Sequence, residues 1–215
     1  TDAQVQETVD LAQEMFENYE KKVLDLTNQL SFIKIVNASL NLEDMVRAIL
    51  FSCQGNILVS GVAIFLPETM DREAYSLTSC VGYEKERFQI RIRASSHLIK
   101  ELKKTQDILR YQDIATKERF KRIAAQLDVL QPELLVPLRG KESFTGFLIF
   151  GKKLSGRDFT NSELGFISSI AEAAAIAIDR AYLYQMATLD RMSGLYVNHY
   201  FKNRLLTEML RAKLA

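Results

Sequence analysis

Apolar residues recur at alternating spacings of three and four through the first forty positions. Val5, Val9, Ala12, Phe16, Tyr19, Val23, Leu26, Leu30, Ile33, Asn37 and Leu40 hold this seam, and no Pro or Gly interrupts it. The spacing is an a/d heptad pattern with Val9, Phe16, Val23, Leu30 and Asn37 at a. A polar Asn at one a position commonly fixes register and oligomer state at a cost in stability. The seam predicts a parallel dimerisation helix over residues 1–40. An amphipathic helix laid on its own domain is the alternative. A lone helix with so narrow an apolar face is marginal in water, which favours the dimer.

The pattern then shortens. "NLEDMVRAILFSC" reads as a helix capped by Asn41, with acidic residues in its first turn and Leu42, Met45, Val46 and Ile49 on one face. "VSGVAIFLP" is β-rich and closed by Pro67, and "EAYSLTSCVG" alternates as its hairpin partner. "ERFQIRIRA" places Phe88, Ile90 and Ile92 on one side and Gln89, Arg91 and Arg93 on the other. "SSHLIKELKKT" predicts a helix, "DILRYQDI" a strand and "TKERFKRIAAQLDVL" a helix. "ELLVPLRG" and "FTGFLIFGKK" predict a strand pair across "KES". A long helix follows from Asn161, opened by a Thr160–Glu163 capping box. Short turns between strands imply an antiparallel sheet, with helices from both ends of the sequence over one face. The fold class is α+β.

Composition narrows the function classes. The 215 residues are 47% apolar with a net charge of +1, which fits one large domain, or a medium one with extensions. That charge points to neither nucleic acid nor an anionic membrane. The longest apolar run, "AEAAAIAI", is too short to span a bilayer. Cys53 and Cys80 are the only cysteines, and two widely spaced thiols fit a reduced, cytoplasmic protein. The chain opens at Thr1 rather than Met, as expected of a piece of a longer polypeptide, so upstream domains stay open. No metal-ligand spacing, phosphate loop, nucleophile elbow or nucleophile–base pair stands in the sequence, so no catalytic or metal residue is expected.

The stretches "SLNLEDMVRAIL", "GVAIFL", "LRYQDIATKERF", "LLVPL", "GFLIFGKK" and "DFTNSELGFISSIAEAAAIAIDRAYLY" together resemble a GAF domain over roughly 40–184. The resemblance implies a PAS-like antiparallel sheet flanked by helices that binds a small molecule and dimerises. The expected organisation is a coiled-coil helix at 1–40, a sensory domain at 41–184, and a signalling linker from 185 to 215. In such a fold the ligand lies between the sheet and the helices that join its central strands. Ser95, Ser96 and His97 open a helix just after Arg91 and Arg93. Free N–H groups, the helix dipole and hydroxyl donors there would suit an anion such as a cyclic phosphate. Plain capping by Ser95 or Ser96 beside solvated arginines is the alternative. The resemblance adds Asp113 and Thr116, which align with residues bordering the ligand in cyclic-nucleotide-binding members, or which serve as a helix cap. It also places Thr78 and Cys80 toward the pocket, with Leu135 and Pro137 as apolar wall. The expected ligand is a cyclic nucleotide, cAMP or cGMP, and a ligand-free structural dimeriser or spacer is the other reading. Either cysteine could anchor a bilin by a thioether, although a small buried hydrophobe is the simpler role. A GAF enzyme of the free methionine sulfoxide reductase type would need a cluster of reactive cysteines that this chain lacks.

The terminal "TLDRMSGLYVNHYF" resembles the start of a GGDEF domain, through Asp190, Met192, Ser193, Gly194, Leu195, Tyr200 and Phe201. That family makes cyclic di-GMP from GTP with Mg. Val197 departs from it, standing where the family carries a guanine-contacting Asn. The catalytic remainder lies beyond this sequence, so the expectation is a regulatory piece of a cyclase. Along the exit helix, Leu164, Ile167, Ala171, Ala174, Ile178 and Ala181 continue the three-and-four spacing before polar Gln185 and Thr188. This spacing predicts a second dimer seam that weakens toward Asp190 and could sit in more than one register; a helix that ends near Met186, its polar residues beginning a loop, is the alternative.

Overall fold

The computed structural model describes residues 41–68, 72–83, 89–140 and 144–188 without a break, plus helical positions between 12 and 34 and scattered ones between 197 and 209. Helix α1 (Leu42–Ile57) starts where the Asn41 side chain accepts hydrogen bonds from the N–H groups of Glu43 and Asp44. Met45, Val46, Ile49, Leu50, Cys53 and Ile57 form its buried stripe. It stops at Leu58, which turns left-handed (φ 55°) and donates its N–H to the Gln54 carbonyl.

The strands β1 (Val62–Pro67), β2 (Ala74–Val81), β3 (Arg91–Arg93), β4 (Leu109–Arg110), β5 (Pro132–Arg139) and β6 (Phe144–Gly151) form one antiparallel sheet in the order β3-β2-β1-β6-β5-β4. Helices α2 (His97–Lys104), α3 (Tyr111–Ala115) and α4 (Lys121–Leu127) carry the chain across one face. Helix α5 (Asn161–Thr188) lies with α1 on the other. The sheet is therefore buried on both sides. Val62, Ile64, Leu66, Leu134, Val136 and Leu148 join the α1/α5 core, while Ala63, Phe65, Leu135, Phe147 and Ile149 join the outer core.

Alternation in β2 is broken once, because Ile64 pairs with Ser79 but Phe65 pairs with Leu77. Thr78 is the extra residue of this bulge, and it lets Cys80 pack against the same outer core as Leu77.

The strand expected over 107–114 is cut to Leu109–Arg110, and Tyr111–Ala115 is helical. Ile108, Tyr111 and Ile114 recur every three residues, a helical spacing that the adjacent Leu109 obscures, and the Tyr111 hydroxyl is held by the Ala124 carbonyl at 2.8 Å and by Asp128 at 2.6 Å. The helix expected after Thr116 is split into a 3-10 turn at Glu118–Phe120, α4, and a second turn at Asp128–Leu130. Ile90 and Ile92 face inward while Arg91 and Arg93 are exposed, but the regular strand spans only Arg91–Arg93. Phe88 lies outside the described residues.

The capping box forms as expected. Glu163 N–H donates to Thr160 Oγ1, and Thr160 N–H donates to the Glu163 carboxylate at 2.7 Å. Burial works against ionised Glu163, but hydrogen bonds from Lys153 and Thr160 outweigh it and hold the carboxyl below its ordinary value. A depressed folded-state pKa contributes stability above the unfolded value and loses it as pH falls through the folded one. Glu163→Gln is thus expected to cost about 1 kcal/mol near neutrality. Urea titrations at about pH 7 and about pH 3 should show that deficit shrinking in acid.

The expected seam of α5 needs correction. Ile167, Ala171, Ala174, Ile178 and Ala181 are buried in their own domain's core, where small side chains let the helix lie close on the sheet. The outward flank of α5 instead exposes Ile176 and Leu183. On the N-terminal helix, Phe16, Tyr19, Val23, Leu26, Leu30 and Ile33 are all exposed, whereas Phe32 is buried against the α1/α5 core. Val5, Val9, Asn37 and Leu40 lie outside the described residues, as do Asp190, Met192, Ser193, Gly194, Leu195, Tyr200 and the Gln185 side chain. Val197 donates its N–H to the Thr188 carbonyl at 2.9 Å.

Candidate functional site

The layer between the sheet and α2, α3 and α4 is where a ligand pocket is expected. Described side chains pack through it. The Phe65 and Phe147 rings stack with centroids 4.6 Å apart and planes 8° apart. Tyr75 meets Phe144 edge-on at 5.3 Å. Leu98, Ile99, Leu102, Ile114, Phe120 and Leu127 close the layer from outside. Burial and the neighbouring Asp128 carboxylate both push the Tyr111 phenol up, so it stays a neutral donor to that carboxylate.

Among the described residues, the candidates are not gathered around one cavity. Arg91 turns outward and grips the Glu68 carboxylate at 2.7 and 2.9 Å, and Arg93 and Ser95 are exposed. Ser96 caps α2 by accepting the Ile99 N–H at 3.3 Å, the bland role the sequence also allowed. Asp113 and Thr116 are exposed on and after α3, with the Thr116 hydroxyl donating to the Gln112 carbonyl. Leu135 is fully buried between Leu109 and Ile149, and Pro137 opposite Phe147. Thr78 and Cys80 line a groove of 860 Å³ that lies between β2 and α1. Helix caps, outward strand positions and core positions have separate local jobs, so sharing a family motif does not bring these side chains together.

The Tyr83 ring lies on Gly61, where a Cβ would come within 2.5 Å of it. Its hydroxyl is buried without a partner among the described residues, and burial, with Cys80 beside it, pushes the phenol up to about 12. Burial likewise pushes the Cys53 thiol up to about 12, so it is a packing residue rather than a nucleophile. No group of three or more His, Cys, Asp or Glu among the described residues could hold a metal.

A polar cluster absent from the sequence expectations ties the outer layer to α5. Phe144 and Thr145 are neighbours on β6 and point to opposite faces. The Phe144 ring packs on Tyr75 in the outer core, while the fully buried Thr145 hydroxyl donates to Asp179 on α5 at 3.0 Å. Arg72, just before β2, closes the arrangement. It donates to the Phe144 carbonyl at 2.9 Å and pairs with Asp179 at 3.5 Å. Arg72 holds this pose at φ 52°, a left-handed conformation unusual for a side chain of its kind. One turn on, the Tyr182 hydroxyl reaches the Pro67 carbonyl at 3.5 Å. Sequence offered one clue: Asp179 is a lone acid in the apolar run "AAAIAIDRAY".

Residues 41–180 match the sequence model of the GAF domain. Diguanylate cyclase A of Treponema denticola is 32% identical over 193 residues, covering 88% of this chain and 52% of that protein. The chain thus spans about half the length of that relative. Among solved structures, the GAF domain of a phosphoenolpyruvate-protein phosphotransferase from Coxiella burnetii superposes with a TM-score of 0.60 at 17% identity, covering 75% of this chain and 96% of that one. Residues 122 to 287 of a methyl-accepting chemotaxis protein superpose with a TM-score of 0.58 at 17% identity, covering 71% and 98%. At such identity the structural likeness speaks for the fold.

Proposed function

The chain belongs to the GAF domain family, and from that membership we propose that it is the regulatory domain of a diguanylate cyclase-like protein, acting on the output domain through α5. The observation that carries this reading is the cluster at Asp179, which joins the outer layer of the sheet to the last part of the exit helix. The segment from Asp190 is the start of a GGDEF domain that would use GTP and Mg to make cyclic di-GMP. Two copies pair through the exposed seam from Phe16 to Ile33, which one copy leaves bare, and through the outward end of α5 at Leu183.

In this reading the domain senses a small molecule, cAMP or cGMP, in the outer layer. A ligand-free dimeriser and spacer is the second reading, and the Phe65–Phe147 packing of that layer favours it. A thermal-shift screen with cAMP, cGMP, cyclic di-GMP and GTP separates them. A ligand at a hundred times its dissociation constant adds about 2.7 kcal/mol. Protection by cAMP or cGMP supports sensing, and no protection by any of the four supports the spacer.

A further inference from the structure

The outer edge of β5 is left open. β4 pairs only with Leu134 and Leu135, and the next strand residues run on without that neighbour. Pro137 has no N–H to offer a partner, which helps keep the edge unpaired. The segment leading into β4 passes nearby and is held by the Arg139 guanidinium, which donates to the carbonyls of Lys103 and Thr105. Between this segment, the β5 edge and the flank of α5 lies a cavity of 340 Å³. That volume falls in the range of small-molecule sites.

Its walls have a simple chemistry. Val136, Pro137, Ala171 and Ile176 supply apolar surface, while Arg139 and Glu172 supply opposite charges. These two make no ion pair with each other or with any other described residue, and Arg139 is bonded only to neutral carbonyls. A guanidinium that keeps further donors and a separate carboxylate on one apolar cavity match the two charged ends of a zwitterion.

We propose that this cavity is a site for a free α-amino acid with an aliphatic side chain. Its carboxylate meets Arg139, its ammonium meets Glu172, and its side chain lies on Ile176, Ala171 and Pro137. The site is separate from the outer layer and touches α5 directly, so its occupancy bears on the exit helix without opening the sheet's other face. Binding itself does not depend on the regulatory reading.

The test uses the full chain with L-leucine, L-isoleucine and L-valine, followed by thermal shift and calorimetry. 4-Methylpentanoate and isoamylamine serve as probes lacking one charge each. The expected result is protection by the amino acids and at least about tenfold weaker binding of both single-charge probes. Glu172→Gln, on the exposed flank of α5, should weaken leucine by about tenfold or more while leaving the unliganded melting temperature unchanged. Arg139→Lys, which keeps the charge but loses the fork, should weaken it less. No protection by any of the amino acids at about 10 mM would overturn the proposal, as would equal binding by Glu172→Gln. Protection by cAMP or cGMP alone would overturn it while supporting the sensing reading.

Discussion

Replacing Phe147 by Ala should destabilise the domain by about 3–5 kcal/mol, the largest loss expected of a single substitution in the outer layer. The ring is fully buried, stacked on Phe65, and held on a strand paired on both sides. Its neighbours cannot close the gap without breaking ladder hydrogen bonds, so the cavity term adds to the lost transfer energy. Urea unfolding measures the change, with Phe51→Ala as control. Phe51 is 58% exposed, so its truncation should stay within about 0.5 kcal/mol. A loss below about 1 kcal/mol for Phe147→Ala would mean a loosely filled layer that a ligand enters at little cost.

Asp179→Ala should cost about 1–3 kcal/mol, more than its half-buried position suggests. The substitution leaves the fully buried Thr145 hydroxyl without its carboxylate acceptor and takes the ion pair from Arg72. Thr145→Val removes the donor and keeps the shape, so it should cost less. A buried donor stranded without an acceptor loses its full hydration, whereas removing both partners together does not. The double variant should therefore lose less than the sum of the singles, with a coupling of about 0.5–3 kcal/mol in a double-mutant cycle. Additive losses would show that Thr145 and Asp179 do not act as a pair. On the proposed regulatory role, both single variants should change GTP turnover from its resting level when this domain is joined to a cyclase output domain.

The fold was legible wherever one physical signal dominated. β6 is apolar at every residue except Thr145, and such a strand must be central. The capping box at Thr160 announced α5 by its side-chain chemistry alone. Tyr111 misled because β-rich composition masks a helical spacing, and only the tertiary bonds to Ala124 and Asp128 decide between them. The exit helix showed its periodicity but not its partner. A three-and-four stripe reads the same whether it meets a second copy or its own sheet, and the alanines served the sheet. The site residues were the least legible part. Ser96 shows why: one hydroxyl that can cap a helix or bind an anion has the same sequence signature, and here it caps. The Arg72–Thr145–Asp179 cluster joins residues distant in sequence, and the lone acid Asp179 in its apolar run hints at it without naming its partners.

Hydrogen exchange along α5 tests the coupling most directly. Phe144→Leu disturbs only the outer-core side of β6, because the ring packs on Tyr75 while Thr145 faces α5. If the cluster transmits that disturbance, amides from 179 to 188 should exchange faster than in the parent chain, while those from 161 to 178 keep their protection. Asp179→Asn should reproduce the same pattern from the helix side. Unchanged exchange at 179–188 in Phe144→Leu, alongside faster exchange in β2 and β6, would contradict the link between the outer layer and the exit helix.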